Sequence, residues 1–178
     1  FGFLTARTDL FAAPLWRALG VLPLLMPPLV LAMSWAGLVA LRGGPAAILV
    51  LGLATFPLVA LYSARAFERI DARREEAARL VGGLGAVLRI ELPLVLPSAA
   101  IAACFAFVLV VNDFAVPDYI SSIGPSFNVY ADEVFASWRS DQEVGHAVAA
   151  ALPLVLLTLL ALVPALELRR RHALASFD

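Results

Sequence analysis

Residues 147–166 read AVAAALPLVLLTLLALVPAL, twenty side chains with no charge among them, between His146 and Glu167. Eleven are Leu or Val. Each favours a helix centre in the membrane by roughly 0.3–0.6 kcal/mol, which gives an upper bound of about 3–6 kcal/mol for the run. A helix needs about 20 mostly apolar residues to cross a hydrocarbon layer about 30 Å thick. The run is therefore read as a spanning helix.

Three more uncharged runs flank it in the same chain. They cover 18–41 (24 residues, Arg17 to Arg42), 43–64 (22 residues, Arg42 to Arg65) and 92–112 (21 residues, Glu91 to Asp113). Soluble core helices are shorter and carry a polar face. Composition agrees: of 178 residues, 62% are hydrophobic and 15% charged, and mean hydropathy is +0.90. Soluble domains run about 45–50% apolar and about 25% charged, and a soluble fold of this content would expose one aggregating patch. Disorder is excluded by the same figures. The net charge of −1 excludes nucleic-acid binding through a basic surface, and the single Cys104 excludes a disulfide framework. The expected fold class is all-α: a polytopic membrane helical bundle with four transmembrane helices over about 18–41, 43–64, 92–112 and 147–166, embedded in lipid.

Proline occurs in every run: Pro23, Pro27 and Pro28; Pro57; Pro93 and Pro97; Pro153 and Pro164. Packed membrane helices tolerate such breaks because neighbouring groups satisfy the freed carbonyls. Small residues at Ala99, Ala100, Ala102 and Ala103, and at Ala147, Ala149, Ala150 and Ala151, permit close helix approach. Both features predict a bundle.

All 13 basic residues are Arg. With four crossings, one side receives Arg7, Arg17, Arg65, Arg69, Arg73, Arg74, Arg79, Arg89, Arg169, Arg170 and Arg171, and the other only Arg42 and Arg139. The positive-inside rule makes the first side cytoplasmic. The segment 113–146 is then outside, in a bacterium the periplasm. Its Asp113, Asp118, Asp132, Glu133, Asp141 and Glu143 fit that side. Both ends of the chain are expected in the cytoplasm of a bacterial inner membrane. Phe1 is no initiator, and 1–17 lacks the pattern of a signal peptide. A single transmembrane domain over 1–178, truncated at its amino end, is the expectation.

Residues 65–91 hold the densest charge. Phe67, Ile70, Ala77, Leu80 and Val81 fall near helical spacing, with Arg and Glu on the other face. This predicts an amphipathic helix at the membrane boundary. Gly82, Gly83 and Gly85 should end it, and Ala86–Glu91 should form a second short helix before Leu92-Pro93.

The string Glu76-Ala77-Ala78, three residues, Gly82, then Ile90-x-Leu92-Pro93 resembles the EAA loop of ABC importer permeases. The stretch Asn112-Asp113-Phe114-Ala115-Val116-Pro117 is similar to the iron(III)-type branch. The likeness covers roughly 15–171. It implies that 65–91 is a cytoplasmic coupling loop seated in a cleft of a separate ABC ATPase, with Glu76, Ala77, Ala78, Gly82, Ile90, Leu92 and Pro93 as docking residues. It further implies a periplasmic solute-binding protein and a second permease domain or subunit as partners, and about six spans in a whole domain against four here. One departure stands out. The family places about nine residues between the glycine and Ile-x-Leu-Pro, and this chain places seven, 83–89. Two residues fewer would turn the second part by roughly 200° on helical geometry.

Asn112 and Asp113 are candidates for the translocation path, since polar groups at membrane depth are functional by default; an ordinary helix end is the other reading. Tyr130, Val134, Phe135 and Trp138 share a helical stripe, read as interfacial anchoring before a gating or receptor-facing helix. Trp16 and Trp35 read as anchors and Cys104 as apolar filler. His146 and His172 share no ligand spacing, so no metal is expected. No nucleophile triad or carboxylate pair occurs. Gly82-Gly83-Leu84-Gly85 lacks the Lys-Ser or Lys-Thr of a nucleotide loop. The chain is read as a transport subunit, not an enzyme, with no cofactor. An ion-driven secondary transporter would show charges at mid-membrane, and a non-transporting scaffold would need no glycine-hinged cytoplasmic knob.

Overall fold

The computed structural model describes residues 1–7, 11–140 and 144–175; within them the side chains of 7, 72, 74–79, 81, 140, 144, 146, 147 and 168–175 lie outside the description. Its elements are α1 (Gly2–Arg7), α2 (Ala13–Leu25), α3 (Pro28–Leu38), α4 (Gly43–Glu68), α5 (Ala72–Val111), α6 (Ala115–Ile123), α7 (Tyr130–Ser140) and α8 (Val144–Ala175). The described residues contain no strand. A backbone in lipid has to satisfy its own hydrogen bonds, and helix does so within one segment.

Among the described residues, three helical stretches are long and apolar enough to cross a membrane: Gly43–Glu68, Gly82–Val111 and Val148–Glu167. They contain the run expected at 43–64 and all but one residue each of those expected at 92–112 and 147–166. The run 18–41 differs from its expectation. It is not one helix but α2 and α3, bent by 105°, and counts as a fourth crossing only if the pair is taken as one broken span. The cause is local. A residue before proline is driven out of the α region, and Pro27 and Pro28 impose this twice in succession. Met26 (φ −92°, ψ 137°) and Pro27 (φ −56°, ψ 133°) are both extended, and α3 restarts with Pro28 at its first position. The isolated prolines Pro23, Pro57, Pro93, Pro97, Pro153 and Pro164 lie inside continuous helices.

The charged block 65–91 also differs in detail. Charge marks the edge of lipid rather than the end of a helix, so α4 continues through Arg65 to Glu68. Phe67, expected on the amphipathic stripe, is buried in the last turn of α4, its ring edge-on to Phe3 at 5.3 Å. The next helix begins at Ala72. Asp71 stands before it in extended conformation and accepts the Arg73 N–H at 3.0 Å, as an N-cap should. No separate short helix occupies 86–91. That stretch is continuous with the third run up to Val111.

α4 is the hub, packing against α1, α2, α3, α5 and α6, while α8 lies against α5 and α7. A core of Leu31, Ala32, Ala46, Ala47, Val50, Leu51, Ala54, Val116 and Ile120 joins α3, α4 and α6. Four of these nine are alanine, which lets backbones approach closely where lipid offers no hydrophobic drive. Replacing Ala32, 1% exposed, by Leu should cost about 1–3 kcal/mol by overpacking, whereas its neighbour Met33, exposed, should accept Leu for less than about 1.5 kcal/mol. Thermal unfolding in detergent measures both.

Candidate functional site

The break within α5 shapes the arginine-rich end. Gly82 (φ −155°, ψ 19°) and Gly83 (φ 63°, ψ −152°) leave helical geometry, so 72–81 departs from the line of the long helix that follows. The conformation of Gly83 is one that essentially only glycine enters. Gly82 keeps a negative φ, and its constraint is space: a Cβ there would stand 2.9 Å from the Ala86 Cβ. The two glycines thus serve one bend for different reasons.

Leu80, near the end of the short arm, is 89% exposed, and Leu84, Ile90, Leu92 and Pro93 are exposed beyond the bend. The apolar stripe expected across Phe67 and Leu80 is therefore divided. Phe67 is core of this chain, and Leu80 faces away from it. Glu76, Ala77 and Ala78 lie in the helical arm, and their side chains fall outside the described residues. Beyond the glycines, Ile90, Leu92 and Pro93 ride on one helix with the following span. Glu91, read from sequence only as the charged edge of a run, is 1% exposed on the face it shares with Val87 and Val95. The spacing of four residues between these three was the available signal.

At the opposite end, the polar residues that close the third run have definite partners. The Asn112 Nδ2 donates to the Val108 carbonyl at 2.8 Å, capping α5, and to Thr158 Oγ1 of α8 at 3.1 Å. Interhelical bonds of this kind in membrane proteins average about 0.6 kcal/mol. The Asp113 Oδ1 accepts the Val116 N–H at 2.9 Å and so secures the start of α6. Both residues therefore do the work of helix ends. Asp113 additionally lines an open cavity of about 900 Å³, with Ile48, Gly52, Val110, Tyr130 and Leu157 among its walls. The cavity lies between α4, the end of α5, the α6–α7 connection and α8. Asn112 is not among the lining residues, so the two candidates are separated by the structure.

α7 is fixed over this region. Tyr130 Oη donates to the Ala150 carbonyl at 2.8 Å, and Phe135 stacks on Phe114 at 4.3 Å. The Arg139 guanidinium lies 5.7 Å from the Phe135 ring centroid. Trp138, on the same stripe, stays exposed. Partial burial, and then the charges of Asp118 and Glu133, raise the Asp132 carboxyl above the ordinary carboxylate range. Asp141 and Glu143 of this acidic segment lie outside the described residues, as do the side chains of His146 and His172.

A bundle of membrane-crossing helices with a glycine-bent arm at one end and an apolar chamber at the other defines a multi-pass membrane protein. Residues 1–171 match the family described as binding-protein-dependent transport system inner membrane component, and the chain belongs to that family. No curated protein matches it. Members of the family are transport subunits, and such systems work in general with a solute-binding protein and an ATPase.

Two predictions test the geometry. Gly83→Ala should cost about 1–3 kcal/mol, because it forces a side chain into a glycine-only conformation. Gly85→Ala, helical and with open space around it, should be neutral or stabilising by up to about 1 kcal/mol; thermal unfolding of both variants in detergent decides this. For Asp132 the sign follows from its raised value. The folded state binds that proton more tightly than the unfolded state, so the ionised group subtracts stability at neutral pH. Asp132→Asn should raise the melting temperature at pH 7, and the gain should fade as pH falls through the raised value toward the ordinary carboxylate range.

Proposed function

We propose that the chain is the transmembrane permease component of an ATP-driven importer. In this reading it forms the path for a solute handed over by a periplasmic binding protein, with iron(III) as the favoured cargo. The observation that carries the reading is the bend at Gly82–Gly83, which sets a short helix with exposed Leu80 at the arginine-rich end. A machine that turns closure of cytoplasmic ATPase subunits into motion of membrane helices needs a protrusion continuous with a span. Here 72–81 leads through the glycines directly into the helix ending at Val111.

The arginine-rich end is cytoplasmic in this reading, with eleven arginines against two. The pair α2–α3 is one broken crossing: Arg17 in α2 meets Glu68 at the end of α4, whereas α3 leads through 39–42 into Gly43 at its start. That gives four crossings and both chain ends in the cytoplasm. Glu76, Ala77, Ala78 and Gly82, with Ile90, Leu92 and Pro93, form the ATPase-docking set. Asp113 belongs to the translocation path as a wall of the apolar chamber, and Asn112 supports it by tying α5 to α8. The preference for iron(III) rests on the likeness of 112–117 to that branch.

The test is reconstitution of the chain with its ATPase, binding protein and second permease subunit. Gly82→Asp places a side chain against Ala86 and a charge at the bend. It should abolish copurification with the ATPase and uptake of labelled iron(III), with membrane insertion intact. Unchanged uptake would overturn the docking assignment, and uptake of another solute alone would overturn the cargo.

A further inference from the structure

One side chain at the arginine-rich end joins three helices. Arg17 of α2 donates from Nε to the Thr5 carbonyl of α1 at 3.1 Å, and from Nη2 to the same oxygen. Its Nη1 lies 3.0 Å from Oε1 of Glu68, the last residue of α4. Arg65 holds the other carboxylate oxygen, Nη1 to Oε2 at 3.1 Å. Only a planar guanidinium reaches a carbonyl and a carboxylate at once in this way. The Thr5 carbonyl lies in the last turn of α1, and Arg17 bonds it with two N–H groups.

α1 is pressed on the same stretch of α4. A Cβ on Gly2 would stand 3.0 Å from the Ala60 carbonyl oxygen and 3.1 Å from the Ala64 nitrogen, so only glycine allows this approach. Phe3 meets Phe67 one turn further on. α1, the start of α2 and the end of α4 are thus one packed block. From that block only Arg69, Ile70 and Asp71 lead to α5. The Arg69 N–H bonds to the Ala66 carbonyl and the Ile70 N–H to the Phe67 carbonyl, so the link continues the last turn of α4. Whatever holds that turn sets the direction in which 72–81 leaves it.

We propose that Arg17 is a positioning residue for the 72–81 arm. Through Glu68 it fixes the angle between the arm and α4, so that a push on the arm moves the α1–α2–α4 block and does not dissipate as pivoting at 69–71. The coupling half of this inference rests on the reading of 72–81 as the ATPase-facing element; the orienting half does not. The Arg17 and Glu68 side chains are 42% and 30% exposed, and a pair so open to solvent adds little to global stability. An orienting role is therefore separable from a structural one.

Spin labels on Ile48→Cys in α4 and Leu80→Cys in the arm, with Cys104→Ala, report the arm's direction in the full chain in nanodiscs. Arg17→Ala and Glu68→Ala should each broaden the distance distribution about twofold, and the double variant no more than either, since both act through one contact. Glu68→Ala, which leaves the Arg17 bonds to the Thr5 carbonyl in place, should keep the parent melting temperature. In the reconstituted transporter, Arg17→Ala should lower solute-stimulated ATP hydrolysis about fivefold while the ATPase copurifies at parent yield. An unchanged distribution, or broadening that adds in the double variant, would overturn the orienting role. Broadening with undiminished stimulation would overturn the coupling role. Failure of the ATPase to bind even the parent chain would instead overturn the reading of the arm, while the label distances still decide the orienting role.

Discussion

In hydrocarbon an unpartnered backbone N–H or C=O costs several kcal/mol, because no water is there to take it. Each described stretch long and apolar enough to cross a membrane is accordingly helical, and three departures from helix stand out. At the α2–α3 bend the restarting helix uses the Leu31 N–H on the Pro27 carbonyl at 3.2 Å. At the end of α5, Asn112 returns to the Val108 carbonyl and Asp113 receives the Val116 N–H. The third departure, at Gly82–Gly83, stands at the polar end of its helix, where water can serve. Side-chain partners at the end of α5 and exposure at Gly82–Gly83 separate a pinned helix end from a bend that carries a protruding arm.

That separation organises the molecule mechanically. The α3–α4–α6 core is built on alanines and joins the bent pair to α6 through Val116 and Ile120. The α1–α2–α4 block at the other end is built on Gly2, Phe67 and the Arg17 fork. α4 runs through both. A displacement delivered near Glu68 therefore meets a helix already packed at its far end against the elements beside the chamber. In the proposed reading, that continuous member links the site where force enters to the path it opens.

Much of this could be read from the residues alone, and the misses have particular causes. Three of the uncharged runs coincide with helices long and apolar enough to cross a membrane, where burying a charge is costly. They did not locate helix ends, since Arg65 and Glu68 sit on α4 while their charged groups stay in water or pair with each other. Hence the spacing assigns Phe67 to the following helix, whereas it belongs to α4. The bend at 26–27 was missed because one proline is tolerated in a membrane helix and two in succession are not equivalent to one. The glycine break was legible as a break, but the exclusive need at Gly83 is a matter of φ, which no spacing reveals. Asp113 could be singled out as polar at a membrane boundary, while its double place as cap and chamber wall depends on how α6 folds back. The contact of Arg17 with Glu68 joins residues on separate helices and leaves no periodic trace.

The most direct measurement is site-directed crosslinking in native membranes from Leu80→Cys, with Trp138→Cys at the opposite end as control and Cys104 replaced by Ala. A crosslink from position 80 to the cytoplasmic ATPase that changes in yield on addition of ATP, with none from position 138, is the expected result. An intact complex that crosslinks equally from both positions, or from 138 alone, would contradict the assignment of the glycine-bent arm as the point where force enters the membrane.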